Sequence, residues 1–265
     1  MKFKFLYSLL ICFLMIPVAI MAQHSENFKK EFFTQNSDTL KYRILYPENF
    51  SESKQYPLML FLHGAGERGN DNEKQLTHGS DLFLNSENRE QFPAIIVFPQ
   101  CPQEDYWSNA DVDRSAGGVK LNFKNGGEPT RAMTQVMGLL DSLKAKAFVN
   151  KERMYVGGLS MGGMGTFELL YRKPNTFAAA IAICGGADPR TVSAYAKTTP
   201  LWIFHGALDD IVNPQYSLDI ATALLKEGAH PKMYLYDNAN HNSWDYAFAE
   251  ADLLPWIFSK TLNKN

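Results

Sequence analysis

Ser160 lies in the run Val156-Gly157-Gly158-Leu159-Ser160-Met161-Gly162-Gly163, crowded by residues that contribute almost nothing to packing. Gly158, Ser160 and Gly162 form G-x-S-x-G, and the run falls where a short apolar stretch gives way to a helical pattern. That context is what a strained strand-to-helix turn needs in order to lift a hydroxyl clear of its neighbours. A phosphate-binding loop is the competing reading, but G-x-x-x-x-G-K-[ST] is absent from the chain and this run does not match G-x-G-x-x-G. A serine hydroxyl attacks poorly unless a base takes its proton, and the base needs a carboxylate to orient it.

Behind an elbow of this kind the partners follow in the order acid, then histidine. Only His205, His230 and His241 come after Ser160. His205 precedes every credible acid, so satisfying loop backbone is its expected role. His230 stands directly before Pro231 at the start of a strand, the wrong edge of a sheet. His241, just past the last strand, is the expected base. Asp209 follows the strand run "LWIF" at the same edge and is the expected acid. Its neighbour Asp210 also fits by spacing, whereas Asp237 sits too close to His241 along the chain to reach round the ring. A tetrahedral intermediate needs hydrogen-bond donors aimed at its oxygen. The Met161 amide is one candidate, and the loop "HGAG" supplies another from Ala65, with Gly66 as the alternative. His63 is expected to shape that loop.

The elements that must carry these groups alternate. Apolar runs at 56–64, 93–100, 153–158, 177–186, 200–206 and 231–238 lack strict polar alternation, as strands covered on both faces do. Helical patterns at 129–149, 161–174 and 214–228 separate several of them, and 244–262 adds at least one more. Residues 28–47 read as an antiparallel hairpin turning at Asn36, Ser37 and Asp38. The expected fold is α/β, a mostly parallel central sheet with helices on both faces and that hairpin at the amino end.

The chain has 265 residues, 45% hydrophobic and 13% aromatic, with a formal net charge of -2. Such a balance offers no electrostatic footprint for nucleic acid. Lys2 and Lys4 precede an apolar run ending near Pro17 and small residues up to Ala22, the layout of an export signal covering 1–22. The run is short for a bilayer span of about 20 apolar residues. The remainder, 23–265, is expected to be one catalytic domain with no stable membrane span, and its oligomeric state is open. Cys101 and Cys184 end apolar runs and are expected as buried thiols, although an exported protein would permit a bridge.

The ordered motifs "LHGAGERG", "GLSMGGMGTFELL", "HGALDDIV" and "HNSWDYAF" resemble the α/β-hydrolase superfamily from about Tyr42 to Phe258. More narrowly, the chain is similar to secreted carboxylesterase, phospholipase-like and predicted-peptidase proteins related to dienelactone hydrolases, feruloyl esterases and prolyl-oligopeptidase catalytic domains. The resemblance implies Ser160, Asp209 and His241 as the triad of a serine esterase that needs no metal or organic cofactor. It also implies that Trp107, in "FPQCPQEDYWS", lines the acyl site, unless that side chain packs on the core instead. The segment after the strand that follows the elbow, "ADPRTVSAYAKTTP", is short, so little or no lid is expected. An open cleft suits bulky soluble substrates, such as acyl groups on a polysaccharide, better than lipid droplets, and small esters remain open. A peptidase or amidase with the same triad is the enzymatic alternative, and a non-catalytic binding protein on this fold is the remote one.

Overall fold

The computed structural model describes residues 26–113, 115 and 119–262; the expected export signal lies outside them. Among the described residues ten strands form in chain order: β1 (Lys29–Gln35), β2 (Asp38–Leu45), β3 (Tyr56–Leu62), β4 (Ile95–Pro99), β5 (Ala110–Asp113), β6 (Lys120–Phe123), β7 (Val149–Leu159), β8 (Ala179–Ile183), β9 (Leu201–Gly206) and β10 (Lys232–Tyr236). The helices are α1 (Ser80–Leu84), α2 (Ser86–Gln91), α3 (Arg131–Lys144), α4 (Met161–Arg172), α5 (Gln215–Lys226), α6 (Trp244–Ala249) and α7 (Leu253–Phe258).

Eight strands make one sheet in the order β1-β2-β4-β3-β7-β8-β9-β10. β1 and β2 pair antiparallel, β2 meets β4 antiparallel, and every pairing from β4 to β10 is parallel. This is the α/β-hydrolase architecture that the sequence leads one to expect. The apolar runs are explained by two cores. Leu58, Leu60 and Leu62 of β3 face one, with Met133, Val136 and Leu140 of α3, Phe167 of α4 and Ile220 of α5. Met59 and Phe61 face the other, with Phe83 of α1, Ala247 of α6 and Leu254 and Ile257 of α7. Alternate side chains thus enter different cores, and neither face of the strand can be polar.

Helix ends follow local chemistry. The Thr130 hydroxyl accepts from the Met133 amide and starts α3. Gly228 at φ +80 lets the chain turn away after α5. The tail forms two short helices, separated where Glu250 adopts extended backbone. β7 begins at Val149, earlier than expected, and its pairing with β3 shifts register between Tyr56 and Leu58.

One element was not expected. β5 and β6 pair into a separate two-stranded hairpin. Leu121 of β6 packs with Met164 and Val212, and Val112, Val119 and Phe123 pack against them. Through Val119, just before β6, this segment reaches the cavity at Ser160, and it precedes the elbow in the chain. Among the described residues no helix is long and apolar enough to cross a membrane. Cys101 and Cys184 are free and buried, in different cores.

Candidate active site

β7 runs up the middle of the sheet and delivers Ser160 at φ 54, ψ -119, a backbone region costly for a residue with a side chain. The turn is held by close main-chain approach. A Cβ at Gly158 would strike the carbonyl of Gly162, and one at Gly162 would strike the carbonyl of Leu62. These two glycines therefore let the first turn of α4 sit directly on β3. The Ser160 amide donates to the Ile183 carbonyl at 2.9 Å, which ties the elbow to β8 as well.

Around this point the loops at the carboxyl edge converge. His241 Nε2 lies 3.0 Å from Ser160 Oγ. His241 Nδ1 lies 2.8 Å from Asp209 Oδ2. Asp209 is buried, and its Oδ1 accepts from the amides of Ile211 at 3.0 Å and Val212 at 2.9 Å. Burial opposes its ionisation, yet the hydrogen bonds from His205, His241 and Val212 outweigh it and hold the carboxyl well below the ordinary carboxylate range. The hydrogen-bonding then fixes a tautomer: Nδ1–H donates to the carboxylate, leaving Nε2 free to accept the serine proton. Asp210 and Asp237 are exposed, and His230 is exposed too.

His205 does more than bind loop backbone. It is wholly buried; its Nε2 lies 2.9 Å from the Val212 carbonyl and 3.2 Å from Asp209 Oδ2, while Nδ1 meets Ser217 Oγ at 2.7 Å. Asp209 Oδ2 is thus within reach of two imidazoles, at 2.8 and 3.2 Å. The contact with the acid was not read from sequence, although the spacing of four residues between His205 and Asp209 was available.

The loop after β3 holds the other expected groups. Ala65 and Gly66 border the same cavity as Ser160 and His241. Met161 opens α4, so its amide belongs to the first turn, whose N–H groups have no acceptor within the helix. His63 shapes this loop as expected: Nδ1–H donates to the Gly64 carbonyl at 2.6 Å and Nε2 accepts from the Cys101 amide at 2.9 Å. Burial pulls its pKa from 6.5 down to about 4. Between those values the unfolded chain takes up a proton here that the native fold refuses. Unfolding free energy should therefore fall by roughly 3 kcal/mol as pH drops from 6.5 to 4. Urea titrations at both pH values check this, and the drop should shrink in His63→Gln.

Trp107 corrects an expectation. It is fully buried and absent from the cavity's border, and its Nε1–H donates to the His63 carbonyl at 3.1 Å. A side chain with no exposed surface cannot touch substrate; it supports the loop from behind. The residues that do border the cavity include Glu67, His78 and Trp244, none of which was singled out from sequence. Only the residues "HGAGERG" and "HNSWDYAF" carried a hint of Glu67 and Trp244.

For a metal, the described residues bring together Cys184, Asp209 and His241, with ligand atoms within 4.8 Å of one another. Asp209 and His241 already bond each other, and burial pushes the Cys184 thiol far up, so it offers no thiolate. The arrangement fits acyl transfer better than metal binding.

Similarity to known proteins points the same way. The model of the Esterase family ("Putative esterase") matches residues 36–257. The chain is 27% identical over 172 residues to the bifunctional acetylxylan esterase/xylanase XynS20E of Neocallimastix patriciarum, covering 65% of this chain and 22% of that protein. It is 26% identical over 196 residues to lysophospholipase-like protein 1 of Mus musculus, covering 69% of this chain and 79% of that protein. The crystal structure of a thermostable esterase superposes with a TM-score of 0.80 at 27% identity, over 90% of this chain and 64% of that one. The chain spans less than two thirds of the length of the first relative and of the thermostable esterase. With a match running from the amino-terminal hairpin to the last helix, the chain belongs to the Esterase family.

Proposed function

We propose that the protein is an exported carboxylic-ester hydrolase working through Ser160, His241 and Asp209. The observation that carries this reading is the unbroken relay from Ser160 Oγ through His241 to Asp209, at 3.0 and 2.8 Å, ending on a strained elbow. Ser160 Oγ bonds to the ester carbonyl carbon while its proton passes to His241 Nε2. The oxyanion is held by the Met161 and Ala65 amides, with Gly66 beside them. The carbonyl re-forms, the bond to the alcohol oxygen breaks, and His241 returns its proton to the departing alkoxide. Water then repeats the sequence on the acyl-enzyme and releases the acid. Asp209 keeps its charge throughout and stabilises the imidazolium.

The substrates proposed are small esters and acyl groups carried on polysaccharides. The cavity, about 250 Å³, supports a short acyl group, since small-molecule pockets usually run to about 300 Å³ or more. The acetylxylan esterase among the relatives supports the same class. Export is supported by Lys2, Lys4 and the apolar run behind them.

A fluorophosphonate should label the protein on Ser160, and Ser160→Ala should abolish the label. Equal labelling of the variant would defeat the proposal. Rates on a matched p-nitrophenyl ester and p-nitroanilide separate the esterase from the amidase, with the ester expected to be the faster.

A further inference from the structure

The cavity at Ser160 has two unlike halves. Val119, Met164, Ile211 and Val212 make one of them apolar, with the Tyr106 hydroxyl donating to Met164 Sδ at 3.6 Å. Glu67, His78 and Trp244 make the other polar and aromatic. An ester likewise has two ends, and proton transfer decides which end goes where. The leaving alcohol must lie beside His241, which protonates it. His241 is continuous with the polar half: its ring lies 5.4 Å from that of Trp244, which lies 5.1 Å from that of His78. The alcohol therefore leaves across the polar wall, and the acyl group occupies the apolar one.

Glu67 is the group that needs explaining. Its side chain is 14% exposed, and the charged-type partner it has is His78, whose Nε2 stands 3.7 Å away, beyond hydrogen-bond reach. A carboxylate offers about four acceptor positions, more than the one contact at 3.7 Å can fill, and Glu67 borders the cavity with its Oε2 against Gly64. Its charge also opposes the oxyanion that forms nearby, so it disfavours any ester that gives it no donor. Among the described residues no lysine or arginine borders the cavity to offset it. The wall is held firmly: Gly79, at φ +84, has the Phe248 ring where a Cβ would stand, which seats the His78 loop on α6, the helix that carries Trp244.

We propose that Glu67, His78 and Trp244 form the alcohol-side subsite for a sugar, deepening the ester-hydrolase reading on which it rests. A pyranose ring has an apolar face for the indole and rim hydroxyls that donate to the Glu67 carboxylate; His78 supplies a second polar contact. A cationic alcohol would satisfy Glu67 but leave the imidazole beside it without purpose.

The test compares an acetylated xylo-oligosaccharide with p-nitrophenyl acetate. In Glu67→Gln, the ratio of kcat/KM for the sugar ester to that for the nitrophenyl ester should fall about tenfold or more, mainly through KM. A merely structural role would lower both substrates alike and leave the ratio unchanged, which would overturn the subsite. A wild-type preference for acetylcholine over the sugar ester would overturn it as well. Calorimetry with unacetylated xylotetraose on Ser160→Ala reads the subsite without any turnover. Binding there, weakened about tenfold when Glu67→Gln is added, supports the subsite even if the ester chemistry proves wrong. No heat from xylotetraose, with Ser160 still labelled by fluorophosphonate in the parent protein, sinks the subsite alone.

Discussion

His241→Ala is expected to lower kcat on a p-nitrophenyl ester by a factor on the order of 10⁶, and adding Ser160→Ala should cost almost nothing more. The two groups act as one device. Without an acceptor 3.0 Å away the serine keeps its proton, and without the hydroxyl the imidazole has nothing to activate. Residual turnover would come from the oxyanion amides and from binding. Steady-state rates for both single variants and the double variant decide the matter. Losses that multiply, or a His241→Ala loss below about a hundredfold, would mean that the nucleophile finds its base elsewhere.

Asp209→Asn is expected to lower kcat by about 10⁴-fold near neutral pH. Its carboxylate accepts from four donors: the Ile211 and Val212 amides on Oδ1, and His241 and His205 on Oδ2. An amide cannot serve both oxygen sites. If its NH₂ faces the imidazoles, the Nδ1–H of His241 meets another donor and the ring turns or changes tautomer, removing the lone pair that Ser160 needs. If the NH₂ faces the backbone, it meets two N–H groups in a buried place. A lower melting temperature should therefore accompany the lost rate, measured by calorimetry beside kcat. His205→Asn keeps the His241 bond and both amides, so its kcat should stay well above that of Asp209→Asn. The opposite ranking would mean that His205 governs the acid more than His241 does.

Much of this site was legible because backbone geometry leaves marks in composition. The strands from β3 onward read as unbroken apolar runs because each feeds two cores, and the elbow reads as glycines because main chains touch there. The choice of Asp209 and His241 rested on the chain order that goes with such an elbow and on which edge of the sheet each loop leaves. What escaped was what depends on packing between distant segments. β5 and β6 do alternate apolar with polar side chains, but with four residues each the alternation is too short to stand out. Glu67 reads as an ordinary loop acid until the fold sets it on the border of the cavity that holds Ser160. Trp107 misled because an aromatic residue in a loop beside the site can serve either as a contact or as a prop, and only burial distinguishes the two. His205 was read correctly as a partner of loop backbone, but its bond to Asp209 requires knowing that the loop curls back over its own strand.

The β5–β6 hairpin forms no part of the main sheet, yet its inner side chains meet Met164 and Val212 beside the nucleophile. Its sequence can accordingly drift, or be exchanged for that of another protein, without moving Ser160, Asp209 and His241, which stand on loops leaving β7, β9 and β10 of the main sheet. Directed evolution toward longer or bulkier acyl chains would do well to start with codons 110–123, where preference can be rewritten while turnover chemistry stays intact.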